Sequence, residues 1–204
     1  GEFDESARAF QEAAESAEDR VGLWESAADA WFQAGEDSRG LKAYQHVLEL
    51  EPAGADAWLD QALSLARVGE WRLAESAAEQ AVDRHPFDVD ALVTLGQVRM
   101  QLGKAEEARA AFQKALEECE EDIDALLGLV SAALVIGDLG LAEKTVRRAV
   151  STLPEDPEAH HALGVTLQEL GRHEEALDSL EQAVELDSEV AAYHISLALS
   201  RVAS

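Results

Sequence analysis

Four histidines, His160, His161, His173 and His194, stand close together near the end of this sequence. Imidazoles that meet across a helix boundary bind transition metals or titrate near neutral pH. No carboxylate or cysteine stands beside them at ligand spacing, so they read as ring-shaped fillers of half-buried core positions. The densest acidic run, Glu117, Glu118, Glu120, Glu121, Asp122 and Asp124, lacks the looped oxygen cage that calcium needs and reads as a solvated face. Cys119 is the only cysteine, so the chain has no disulfide framework and no cysteine metal cluster. No nucleophile elbow, phosphate loop or acid–base pair emerges. The expectation is a non-catalytic chain that needs neither metal nor cofactor.

The elements that would position any site are set by a period. Gly35, Gly69, Gly103, Gly137 and Gly171 are spaced 34 residues apart. A small residue follows each by five places (Gly40, Ala74, Ala108, Ala142, Ala176), and Val47, Ala81, Ala115, Ala149 and Ala183 form a third column. Coupled columns at one period define a tandem array. Apolar spacing of three and four residues runs up to each glycine and resumes after it, which predicts two helices per unit. Glycine supplies the left-handed backbone that ends the first helix and lets the chain reverse. Pro52, Pro86 and Pro154 share the column where the second helix must stop; Glu120 and Ser188 replace proline in the other copies, where softer boundaries are expected. Complete units then span 21–54, 55–88, 89–122, 123–156 and 157–190. Residues 1–20 form a half unit with only a second helix, and residues 191–204 a half unit with only a first. The chain does not begin with methionine, and its half-unit start reads as a cut-out of something longer.

Trp58, Ala62, Leu65, Gly69, Ala74, Ala81 and Pro86, then Leu163, Gly164, Leu167, Gly171, Ala176 and Ala183, are similar to the tetratricopeptide repeat pattern. The resemblance covers the whole chain. It implies an all-α fold, a right-handed α-solenoid of helix–turn–helix units whose first helices line a concave groove. Ala28, Ala62, Gly96, Val130 and Gly164 then lie opposite the Gly40, Ala74, Ala108, Ala142 and Ala176 column, with Trp24, Trp58, Tyr44 and Phe112 as core fillers.

Groove positions on the first helices are Leu59, Leu63, Val93, Gln97, Met100, Leu127, Gly128, Ser131, Leu134, Val165, Ile195 and Leu199, with acidic Glu25, Asp29, Asp56, Asp60 and Asp90 toward one end. An apolar strip with no packing duty marks a docking site for an amphipathic helix or extended segment, here one with a basic flank. Arg67 is the only base on that face, which argues against the family's carboxylate-gripping mode. The column Ser26, Asp60, Thr94, Gly128, Ala162, Ser196 lacks the asparagine ladder of its sugar-transferase arrays.

A formal charge of -26 spread along the chain repels phosphate backbones and excludes nucleic acid as a partner. No apolar stretch is long enough to span a bilayer, and no signal peptide is visible, which predicts a soluble chain, cytoplasmic by its cysteine usage, with the periplasm left open. Three functions fit: a protein-binding scaffold, a self-assembling structural scaffold paired through terminal helices or groove, or the regulatory segment of a larger enzyme.

Overall fold

Each of the five repeat glycines adopts a positive φ, between 73° and 80°, the left-handed conformation that only glycine takes without strain. In the computed structural model of the protein, which describes residues 2–16, 21–50 and 55–203, these glycines separate paired helices. Gly1 and Pro52 lie outside the described residues. The fold class is all-α, a helical repeat of the solenoid class, with twelve helices among the described residues.

The chain divides into two compact units, Gly1–Leu102 and Gly103–Ser204. The first contains α1 (Glu2–Ser16), α2 (Val21–Gln33), α3 (Asp37–Leu50), α4 (Ala55–Arg67), α5 (Trp71–Arg84) and α6 (Val89–Gln101). The second contains α7 (Ala105–Glu118), α8 (Ile123–Ile136), α9 (Leu139–Thr152), α10 (Pro157–Glu169), α11 (His173–Leu186) and α12 (Ala191–Ala203). Odd-numbered helices are second helices of the repeat and even-numbered ones are first helices. Within each unit every helix packs on its sequence neighbours, and first helices also touch one another: α4 with α6, α8 with α10, and α10 with α12.

Small side chains permit this packing. Ala28, Ala62, Ala74, Ala108, Ala142 and Ala176 are fully buried. A Cβ added at Gly164 would stand 2.5 Å from Leu180 Cγ, and one at Gly40 would stand 2.6 Å from the Phe32 ring. In the first unit Trp24, Phe32, Tyr44 and Val47 form one apolar cluster and Leu65, Ala78, Leu95 and Val98 another. In the second, Val130, Val146, Leu163 and Leu167 pack around Ala176. Trp58 is half-buried, with the Arg84 guanidinium 5.0 Å from its ring centre.

The expected softening of helix ends without proline does not occur. Helices α7 and α11 stop in the same column as α5 and α9, although Glu120 and Ser188 stand where Pro86 and Pro154 do. The residue after each helix leaves the helical conformation with or without a proline following it, while its N–H still reaches the carbonyl of the third-column alanine: His85 to Ala81, Cys119 to Ala115, Leu153 to Ala149, Asp187 to Ala183.

A further column escaped the sequence reading. The side chains of Asp88, Asp122 and Asp156, also 34 residues apart, accept from the N–H of Ala91, Ala125 and Ala159 and cap α6, α8 and α10.

Candidate functional site

In the first unit the face of the first helices carries both acids and apolar groups. Tyr44 is buried in the core cluster, yet its hydroxyl reaches the surface of α2 and donates to Asp29 Oδ1 at 3.1 Å. Burial, then the charges of Asp60 and Asp29, hold the Tyr44 hydroxyl well above the usual phenol range; Glu25 adds to this. Burial, then Asp29 and Asp56, raise the Asp60 carboxyl above the ordinary carboxylate range. Three of the five expected acids, Asp60, Asp29 and Glu25, thus bear on one phenol, and Asp56 bears on Asp60. Asp90 stands exposed in the first turn of α6.

Beside these acids Leu63 is 47% exposed and Leu59 half-buried. On α6, Gln97 is exposed and Met100 half-buried. Val93 is different: at 8% exposure its side chain is taken up by packing, not offered to solvent. Arg67 does not point into an empty groove, since its guanidinium lies 3.9 Å from the centre of the Phe32 ring.

In the second unit α8 offers half-buried Leu127 and exposed Ser131, whose hydroxyl donates to the Leu127 carbonyl at 3.0 Å. Leu134 packs against the Val130 cluster and is half-buried, whereas neighbouring Val135 is 67% exposed. Gly128 is no part of an open face, because a Cβ there would lie 2.5 Å from the Phe112 ring. On α10, Val165 is half-buried. Gln168 donates to the Ser196 carbonyl at 3.1 Å, and His161 Nε2 lies 2.9 Å from Ser196 Oγ, which ties α10 to α12. On α12, Ile195 and Leu199 are 60% and 65% exposed.

Three of the four late histidines meet groups on the protein itself. His160 Nε2 meets the Pro154 carbonyl and His194 Nε2 the Ser188 carbonyl, the same contact one period apart. His161 lies 4.8 Å from the Tyr193 ring, and its burial lowers its pKa. Metal-ligating types do converge elsewhere. Asp56, His85 and Asp88 each offer one atom within 4.8 Å of the others, with Asp88 already capping α6. Sequence reading missed this grouping, because its members come from different helix ends. Similar hollows recur in both units: Gln45, Glu49, Gln61 and Leu73 line one, and the same columns, Gln113, Glu117, Leu129 and Leu141, line the other.

Three family models, each described as tetratricopeptide repeat, match residues 59–123, 101–165 and 157–190. The chain belongs to the tetratricopeptide repeat family. Among solved structures, it resembles a tetratricopeptide repeat protein from Parabacteroides merdae at 17% identity and TM-score 0.85, covering 100% of this chain and 80% of that one. It is also similar to YrrB, described as a TPR protein with an unusual peptide-binding site, at 23% identity and TM-score 0.72, covering 93% and 98% of the two chains. MamA aligns at 20% identity and TM-score 0.73, covering 85% and 94%. At these identities the likeness is one of fold. No curated protein matches the chain. Among the described residues no helix is long and apolar enough to cross a membrane.

Proposed function

We propose that this tetratricopeptide repeat chain is a non-catalytic interaction scaffold that holds an amphipathic helix or extended segment along its first helices. In the first unit the partner presents apolar side chains to Leu59, Leu63, Gln97 and Met100; the second unit offers a face of its own, Leu127, Ser131, Val165, Ile195 and Leu199. The basic flank of the partner lies against Glu25, Asp29, Asp56 and Asp60. The observation that carries this reading is the Asp60 carboxyl, whose charged form is disfavoured by burial and by two neighbouring acids. A lysine or arginine brought there relieves that repulsion, and the exposed Leu63 next to it supplies an apolar anchor. The peptide-binding site of YrrB is a precedent at the level of the fold.

Fluorescence anisotropy of a labelled amphipathic peptide with a lysine–arginine flank tests this. Asp60→Asn and Leu63→Glu should each weaken binding several-fold with helicity unchanged, and an acidic flank on the peptide should abolish it. Affinity unchanged from the parent chain in both variants would sink the assignment of the face.

A further inference from the structure

The turn between α5 and α6 carries two side chains of metal-ligating type, and the start of α4 brings a third. His85 follows α5, and the Asp88 N–H closes the turn on the His85 carbonyl at 3.1 Å. Pro86 is second in that turn, where its fixed φ suits the backbone. Asp88 Oδ1 accepts from the Ala91 N–H at 2.9 Å, so this carboxylate is held in place by the cap it makes. Asp56, in the first turn of α4, completes the group: each of the three offers one ligand atom within 4.8 Å of the others.

The fold itself does not call for the imidazole. Among the described residues the His85 ring has no hydrogen-bond partner, whereas His160 and His194 meet carbonyls and His46 faces Glu49. The second unit builds the same turn without it. Two periods on from Asp56, His85 and Asp88 stand Asp124, Leu153 and Asp156. Leu153 follows α9, Pro154 comes next, the Asp156 N–H reaches the Leu153 carbonyl at 3.2 Å, and Asp156 caps α10. Turn, cap and both acids persist with leucine in the place of the histidine. What His85 adds is a nitrogen ligand beside two carboxylates.

We propose that Asp56, His85 and Asp88 form a binding site for a divalent transition-metal ion, zinc by its chemistry, with water completing the shell. Two carboxylates balance the charge of a dication, and the imidazole favours zinc over magnesium or calcium, which prefer oxygen alone. Ligand atoms around tetrahedral zinc stand about 3.4 Å apart for bonds of about 2.0–2.1 Å, so the three draw together by up to about 1.4 Å on binding. Asp56 and His85 are exposed, which leaves them room for that movement. The ion ties the start of α4 to the end of α5 and the start of α6, and so staples two first helices that already touch. This site goes beyond the peptide-holding face and shares only Asp56 with it. His85 lies outside that face, so one reading can fail while the other stands.

Calorimetric titration of zinc into the full chain, in about 0.15 M salt to screen its net charge, reads this directly. One equivalent should bind, and zinc should raise the melting temperature, because the three ligands meet only in the folded chain. His85→Leu copies the turn of the second unit, so circular dichroism should show unchanged helicity. It should weaken zinc at least about tenfold, since loss of an outer-shell partner alone costs a metal site that much, and it should remove the thermal shift. Asp56→Ala, at an exposed position, should do the same, and Cys119→Ser should leave binding as it was. A parent chain that binds no zinc, affinity that survives either ligand substitution, loss of binding in Cys119→Ser, or displacement of zinc by equimolar magnesium would overturn the inference.

Discussion

Replacing Gly164 by alanine sets two opposed effects against each other, and the geometry decides which prevails. An alanine in a helix interior gains about 1 kcal/mol over glycine. The added Cβ, however, would stand 2.5 Å from Leu180 Cγ, 2.7 Å from Leu180 Cδ2 and 3.3 Å from the Ala176 carbonyl oxygen. Carbon pairs prefer roughly 3.5–4.0 Å, so Leu180 must retreat by about 1 Å. It has no room to do so, since it is fully buried. Overpacking of this kind costs about 1–3 kcal/mol, so a net loss of about 1 kcal/mol is expected. Urea denaturation followed by circular dichroism would measure it, with Gly164→Ala, Leu180→Ala and the double variant forming a cycle. Leu180→Ala alone should cost about 2–5 kcal/mol. With Leu180 truncated, Gly164→Ala should become neutral or stabilising, a coupling of about 1–2 kcal/mol. If the single alanine is stabilising in the parent chain, or if the cycle shows no coupling, the account of the small-residue column is wrong.

Three other outcomes follow from local geometry. Gly137→Ala should lose about 1–2 kcal/mol although nothing lies near its added Cβ, because φ is +78° there; thermal melting against a Gly22→Ala control, also in open space, reads this strain. Asp122→Ala removes the cap of α8 and should lower stability by about 1 kcal/mol in the same assay. His161 has a folded pKa below its ordinary 6.5 because it is buried. The unfolded chain therefore takes up its proton first, stability falls as pH drops through about 6.5, and His161→Gln should flatten that part of a melting-temperature profile.

Most of the scaffold was legible because its determinants are local and periodic. A left-handed turn needs glycine, and a close helix crossing needs alanine or glycine, so both leave marks in single columns. The proline column misled, because α7 and α11 end in the same column as α5 and α9 without it. The site was harder to read, because helical phase assigns a direction but not the depth of the neighbouring helix. Val93 and Gly128 share the outward phase of Leu59 and Ser131, yet the first is buried and the second is pressed against Phe112. Tyr44 was read as core, which it is, but a phenol can be buried at the ring and still reach an acid on the next helix. The effect of Asp29 and Asp56 on Asp60 depends on that same meeting of helices.

The aspartate caps bear on how such a chain changes length. Asp122 and Asp156 hold the starts of α8 and α10 through the same bond to the third residue onward, and the second helices before them end alike. Excising residues 123–156 would place Pro157 directly after Asp122, and the spliced chain would meet the same helix end and the same cap at the seam. Duplicating that segment would do the same in reverse. Gain or loss of a whole period is thus a smaller disturbance to the second unit than the loss of one residue inside a helix, and recombination between repeats can change the number of helix pairs while leaving each joint intact.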